Sequence, residues 1–553
     1  MKNNSPIVLA VVLFLGFFLG KEWDKPQFTW GSRINQVLNQ IELLYVDSVD
    51  RSALEDAAVE AILAKLDPHT LYFTKEELAE MAEPMEGGFE GIGVEFIISD
   101  DTLIVVNAIS GGPSETAGIR GGDRIVTVEG EEISGPQLNN SSVMSLLKGK
   151  VGTVVNLGLL SASDASRYDV QITRARIPIH SVVASFLLED NVGYVKVIRF
   201  AATTAVEFSE ALDRLTRDGA TSLIVDLRSN GGGYLHAATD MIDRFLLKDL
   251  DIVYTEGKAA PRITYKSMYD GEFSNLPIAI LIDESSASAS EIFAGAIQDN
   301  DRGLIIGRRS FGKGLVQEEY AVEDDALRLT VARFYTPSGR ALQKPYGEGI
   351  DYALDHNNRL ESGELYSADS ISQEDLAEYF TTLGRTVYGG GGITPDVFIP
   401  LDTSDANRVA AELIWVGAMR DGAFDWIDLH RKELGTLQTP IELEQSELWN
   451  DLEQGAIALM RERYKELMGV KPVWSQQESK VVESRFLAQV VRTLFGEQEY
   501  YKVISRGDQY IERALYELLD NRTFSIIQGR LYLLPANVDS LETEILNIIE
   551  NGI

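Results

Sequence analysis

The stretch LPIAILID, Leu276 to Asp283, is apolar until its last residue. It passes into the small residues Ser286–Ser290 and then into SEIFAGAIQ, Ser290 to Gln298. A short apolar run bounded by turn residues reads as a buried strand, and the segment after it has the length and composition of a helix. Such a strand belongs inside a helix-covered sheet, so the chain around it reads as an α/β domain. The alternation continues from about 177 to 401. Val192–Ile198, Leu223–Leu227, Leu304–Ile306 and Leu327–Phe334 are expected as further strands, and Ala205–Arg217 and Ala237–Leu247 as helices.

Other regimes flank this one. From Phe28 to about Glu83 the period is helical: Ile34, Val37, Leu38, Ile41, Leu44 and Tyr45 recur at three and four, and a second segment from Leu54 stops at Asp67-Pro68. Gly87 and Gly88 open a β-rich module with runs at Gly93–Ile98, Leu103–Ala108, Arg124–Val128 and Val154–Leu160 and a helical stretch around Ser141–Lys148. Beyond Asp402 the chain is helical again, near Ala406–Met419, Ile441–Leu467 and Ser479–Leu518. At 553 residues the chain exceeds one hydrophobic core. The expected division is 1–24 as a leader, 25–85 helical, 86–176 β-rich, 177–401 α/β and 402–553 helical.

Lys2 precedes the apolar run Pro6–Gly20, which ends in Lys21, Glu22 and Asp24. This is the layout of an export signal, cleaved or kept as a signal-anchor, and places the rest of the chain in the periplasm or cell envelope. The 50 basic and 85 acidic side chains leave a formal charge of −35, which argues against a nucleic-acid partner. There is no cysteine, so disulfides, thiolate metal sites and cysteine nucleophiles drop out.

Ser288 lies where the buried strand hands over to the helix, and Lys313 comes later in the glycine-flanked turn SFGKGLVQ. A serine beside a neutral lysine can attack an amide without histidine; of the five histidines none falls between Asp283 and Gln317. Ser288-Ala289-Ser290-Glu291 also fits a capping box, so the serine has a purely structural reading too. The helix N-terminus, Ala289 included, would turn its amides toward a developing oxyanion. Gly307–Gly314 stops one residue short of a phosphate-binding loop, having Gly314 where that motif needs a hydroxyl, and the adjoining LVQEEYAV looks extended. Asp226–Gly233, DLRSNGGG, is a glycine turn at another strand end, able to aim amides at a carbonyl oxygen. Gly91, Ile92, Gly93 and Val94 precede a strand and could grip a carboxylate while the strand edge pairs with an extended peptide.

GIGVEF followed by AGIRGGDRIVTVEG resembles a bacterial PDZ domain. With DLRSNGGG, SASASEIFAGAIQD, FGKGLVQ, YTPSGR and the lead-in LDPHT, residues of about 30 to 400 resemble the carboxy-terminal processing proteases, also called tail-specific serine proteases. The resemblance implies a multidomain α/β protein: an N-terminal helical segment, a PDZ-like β-rich module, a crotonase-like α/β protease core and a C-terminal helical extension. By motif position it implies Ser288 as nucleophile, Lys313 as general base and Gln317 as the lysine's support. Ala289 and Gly233 would form the oxyanion hole, and Gly91 to Val94 the PDZ carboxylate loop. Asp299 falls on a common acidic position and is read as structural, while Ser229 departs mildly from the family pattern. The implied activity is an exported endopeptidase that binds free protein C-termini, needs no metal or cofactor, and uses its helical extension for an adaptor or self-association. The alternatives are a crotonase-like acyl-thioester enzyme and an inactive PDZ scaffold.

Overall fold

The structure, a computed structural model, describes residues 30–533 apart from 100, 110, 348, 372–375, 471–474, 521–523 and 528–529. The expected leader and its apolar run lie outside the described residues. Among those described, no helix is long and apolar enough to cross a membrane. The chain divides into two compact units, residues 1–72 and 73–553. The first contains helices α1 (Trp30–Leu44) and α2 (Arg51–Leu63). Asp50 caps α2 by accepting from Ser52 and Ala53 N–H.

The second unit begins with α3 (Lys75–Met85), closed at its start by a reciprocal Thr74–Glu77 capping box. The β-rich module comes next, with β1 (Gly88–Gly91), β2 (Val94–Ser99), β3 (Thr102–Ala108), β4 (Arg124–Val128), α4 (Asn140–Leu147), β5 (Val154–Leu160), β6 (Arg167–Thr173) and β7 (Ala175–Pro178). Strand order is β2-β3-β4-β5-β6, which leaves β2 on an edge, and β1 pairs separately with β7. Leu103, Val105, Val143, Val155, Leu157 and Leu159 close its core.

The α/β core centres on six strands. In spatial order they are β8 (Val182–Leu187), β9 (Val192–Val197), β10 (Ser222–Asp226), β13 (Ile278–Ile282), β14 (Leu304–Gly307) and β17 (Val397–Phe398). All neighbours are parallel except the antiparallel β8–β9 pair. Alternate residues explain the unbroken apolar runs. Val195, Val225, Ile280 and Ile305 pack in a cluster with Phe208 of α5 (Thr204–Arg217), Met241 of α6 (Leu235–Asp243) and Phe293 of α7 (Ala289–Asp299). Tyr194, Ile224, Leu281 and Ile306 enter a second cluster. Beside the sheet, β11 (Asp251–Glu256) and β12 (Ile263–Lys266) join the long hairpin β15 (Leu315–Val322) and β16 (Asp325–Tyr335). The segment after Lys313 is therefore a strand, as its composition suggests, and not the helix a phosphate loop requires.

The tail folds as α8 (Asp405–Trp415), α9 (Ala418–Leu429), α10 (Glu447–Met468), α11 (Gln476–Phe495), α12 (Glu497–Ile504) and α13 (Gln509–Leu519). Helices α8 to α12 share a core around Trp426, Met460 and Phe486. Helix α13 instead packs Tyr510, Ile511, Ala514 and Leu518 into the second cluster of the parallel sheet. Several expected helices are shorter than their composition suggests. The stretch Ser479–Leu518 is cut at Gly496 (φ 90°) and Gly507 (φ 74°), and Ala406–Met419 at Gly417 (φ 80°), left-handed positions that end a helix. The helix expected over Ala237–Leu247 ends at Asp243.

Candidate active site

Ser288 and the glycine turn meet at the carboxyl end of the parallel sheet, the edge where α/β sheets form sites. Strand β13 delivers Asp283, a tight loop comes after it, and Ser288 stands just before α7. Its φ of 54° and ψ of −113° lie outside the regions a side chain prefers, a strain of about 1–3 kcal/mol that only surrounding structure sustains. Ala287 and Ala289 are buried, whereas Ser288 is half-exposed. The turn therefore lifts one side chain out of a packed run. Every residue of α7 is buried, which accounts for its small, apolar composition.

One buried carboxylate ties the nucleophile's turn to the lysine's turn. Glu291 Oε2 accepts from Ser288 N–H at 2.8 Å and from Lys313 N–H at 2.9 Å. Its Oε1 accepts from the Ser310 hydroxyl at 2.6 Å and from Gly312 N–H at 2.7 Å. Glu291 thus makes the return bond of the expected capping box and also reaches a second loop. Burial pushes its carboxyl up, and the bonds from Ser310, Gly312, Lys313 and Ser288 offset only part of that, so it ionises above the ordinary glutamate value.

The lysine turn is held from other sides as well. Phe311 N–H bonds Ser286 O at 3.0 Å, Gly314 N–H bonds Gln343 Oε1 at 2.9 Å, and Gly312 O accepts from Lys344 N–H at 2.9 Å. The glycine run Gly389–Gly392 packs here too: a Cβ on Gly392 would stand 2.7 Å from Ser310 Oγ. Lys313 itself is half-buried. Gln317 is the third residue of β15, opposite Thr330 on β16, next to a register shift after Val316.

The DLRSNGGG turn lies against Ser288. A Cβ on Gly232 (φ 98°) would meet Ser288 Cβ at 2.7 Å and Ala289 N at 2.9 Å, so only glycine permits this approach. Gly232 N–H is taken by Asn230 Oδ1 at 2.9 Å. Gly233 (φ 147°) is next in line, exposed, with its backbone beside Phe200. Asn230 stitches the two loops together: its carbonyl accepts from Ala287 N–H at 3.0 Å and the Ser290 hydroxyl at 2.9 Å, and its amide donates to Val197 O at 3.0 Å. Asp283 adds a further tie, accepting from Ser229 N–H at 2.9 Å.

Beneath the turn, Asp226 is buried and accepts from Tyr194 OH at 2.8 Å, Lys196 Nζ at 3.1 Å and Arg228 Nη2 at 2.6 Å. Burial pushes its carboxyl up, but Arg228 and Lys196 outweigh that and hold it well below the usual carboxylate range. Asp299 pairs with Arg340 at 2.7 Å in a fully buried contact, in line with its structural reading. Gly91 ends β1, and buried Ile92 and Gly93 (φ 76°) lead into Val94 at the head of edge strand β2. Ser114 fixes this loop by donating to Ile92 O at 2.7 Å.

Asp226 and Asn230 fall inside the DLRSNGGG motif and Asp283 ends the apolar strand, but nothing local marks any of them as a residue that ties loops together. For Glu291 the local signal is the SxxE spacing, which points to a cap and not to the second loop.

The family model of peptidase family S41 matches residues 191–353, and that of the PDZ domain matches residues 91–172. The carboxy-terminal processing protease CtpA of Bacillus subtilis is 31% identical over 388 residues, covering 68% of this chain and 82% of that protein. The carboxy-terminal-processing protease of Bartonella bacilliformis is 34% identical over 321 residues, covering 56% and 72%. Among solved structures, the photosystem II D1 C-terminal processing protease shares 28% identity at a TM-score of 0.34, covering 66% of this chain and 87% of that one.

Proposed function

Since this chain belongs to the carboxy-terminal processing proteases, serine peptidases of family S41 that carry a PDZ domain, we propose that it cleaves protein tails with Ser288 as nucleophile and Lys313 as general base. The observation that carries this reading is the shared atom: Glu291 Oε2 binds both Ser288 N–H and Lys313 N–H. Two residues far apart in sequence are thereby held beside each other at a sheet edge.

In the proposed cycle, neutral Lys313 takes the Ser288 hydroxyl proton as Oγ attacks the scissile carbonyl. Negative charge on the carbonyl oxygen is met by N–H groups of Ala289, at the open N-terminus of α7, and of Gly233. Gly233 is favoured over Gly232 because the latter's N–H is spent on Asn230. The C–N bond breaks as Lys313 returns its proton to the leaving amine. Water, deprotonated by Lys313, then attacks the ester carbonyl, the bond to Ser288 Oγ breaks, and Lys313 gives the proton back to Oγ as the acyl group leaves as the acid. Gln317 would steady the lysine from β15.

The PDZ module would hold the substrate's free C-terminus at Gly91–Val94, with the edge strand β2 open to a peptide strand. Lys2 and the Pro6–Gly20 run support export to the periplasm or cell envelope, with the N-terminus anchored in a membrane or removed.

The full chain incubated with an unstructured peptide, with Ser288→Ala and Lys313→Ala beside it, tests the dyad. Each variant should lose at least about a thousandfold in kcat. Unchanged cleavage by either refutes the dyad, and cleavage by none of the three favours a PDZ scaffold. Amidating the peptide's C-terminus should slow the unaltered protein, and equal rates would reject carboxylate reading.

A further inference from the structure

The second face of the parallel sheet is completed by the tail. Tyr510, Ile511, Ala514 and Leu518 of α13 pack with Tyr194, Ile224, Leu281 and Ile306. Pure burial would need only apolar residues there, yet the first turn of α13 carries polar groups that reach both site loops.

Asp508 caps α13, its Oδ1 accepting from Tyr510 N–H at 2.9 Å, while its Oδ2 lies 2.9 Å from Arg228 Nη1. Arg228 belongs to the DLRSNGGG turn and is otherwise folded onto Asp226 through Nε and Nη2. The Tyr510 ring centroid stands 4.5 Å from the Arg228 guanidinium carbon, a cation–π distance. The Tyr510 hydroxyl bonds Arg308 Nη1. Arg308 in turn pairs with Glu284 at 2.7 Å, in the loop that ends at Ser288. One turn of a tail helix therefore touches the oxyanion-side loop through Arg228 and the nucleophile's loop through Arg308.

We infer that Asp508 and Tyr510 are positioning residues of the catalytic site. They hold Arg228 and Arg308 at fixed separation and so set the distance between the Gly231–Gly233 turn and Ser288. The inference rests on the proposed Ser288–Lys313 dyad. Its physical basis is that oxyanion donors act only when placed at the developing charge, so a small drift of either loop costs rate without costing affinity.

The test uses the full chain with Asp508→Asn and Tyr510→Phe. Asparagine caps a helix as well as aspartate, so the first change removes the ion pair and spares α13. The second keeps the ring over Arg228 and removes the bond to Arg308. With the unstructured peptide as substrate, each variant should lower kcat about tenfold while KM stays within about twofold and the thermal transition is retained. A kcat unchanged in both folded variants overturns the inference, as does a rise in KM at constant kcat. Failure of both to fold would make α13 a structural support only, and overturns it too. Absence of Ser288-dependent cleavage by the unaltered protein overturns the protease reading itself, an outcome distinct from equal kcat in all folded forms.

Discussion

Glu291 and Asp226 are both buried carboxylates that organise the loops of one site, yet they are held by opposite chemistry. Glu291, on the helix of one face, takes its four bonds from hydroxyl and backbone N–H donors. Asp226, facing the other, is met by two cations and a tyrosine. Their carboxyls accordingly shift in opposite directions, Glu291 up and Asp226 down. Glu291 holds the Lys313 turn through backbone N–H groups, whereas the Asp226 anion holds the oxyanion-side turn through the Arg228 side chain.

The largest effect should come from breaking the ionic side. Asp226→Asn keeps shape but leaves Lys196 charged and buried without its counter-charge and Arg228 with Asp508 alone, a loss of about 3–5 kcal/mol. Denaturant unfolding near neutral pH measures it; a loss below about 1 kcal/mol would show that the cluster is not what holds the turn. The pH dependence has its origin in the same pairing. The folded Asp226 carboxyl ionises below the unfolded value of about 3.9, so its contribution is whole above that pH and is lost as pH falls through the folded value.

Glu291→Gln comes next and should act on rate. An amide offers one acceptor oxygen where the carboxylate has two, and its NH2 would confront either the Ser288 and Lys313 amides or the Ser310 and Gly312 donors. We expect kcat to fall about a hundredfold, close to 2.7 kcal/mol of barrier. The sign in pH is the reverse of Asp226: with its folded value raised, Glu291 stabilises fully below its unfolded value of about 4.3, and that stability is lost as pH rises through the folded value. Unfolding midpoints taken across that window should slope downward in the unaltered protein and flatten at this step in the glutamine variant. Identical slopes would place the titration elsewhere.

Much of the core is legible in sequence because strands buried on both faces must be apolar throughout. Ile278–Ile282, apolar and buried at every position, is the clearest case. Where one glycine decides, composition misleads: Gly496 and Gly507 each end a helix inside a stretch rich in helix formers. The site divides the same way. Ser288, Ala289 and the glycine turn are visible as short motifs, and the structure brings them to one sheet edge. Glu291 offers only its local SxxE spacing, since its bonds to Gly312 and Lys313 cross to another loop. Asp508 and Tyr510 carry no motif at all, because their partners Arg228 and Arg308 lie some two hundred residues or more upstream.

A third carboxylate, Asp428, separates burial from mere pairing. It joins the helical tail to the PDZ module, with Oδ2 3.0 Å from Arg124 Nη2 and Oδ1 3.1 Å from Arg431 Nη2. Arg431 also donates to Gly121 O on the module. Asp428, like Asp226, is paired with two cations, but Arg124 and Asp428 keep 30% and 31% of their side-chain surface exposed, against 1% for Asp226. Little desolvation has been incurred there, and solvent screens what attraction remains. Asp428→Asn should therefore shift unfolding by less than about 1 kcal/mol. That shift should shrink further as salt is raised to about 1 M, where the screening length is near 3 Å. Unfolding curves at low and high salt measure both. A loss matching Asp226→Asn, or one indifferent to salt, would mean that solvent is excluded from the PDZ contact and that exposure does not set the difference between these carboxylates.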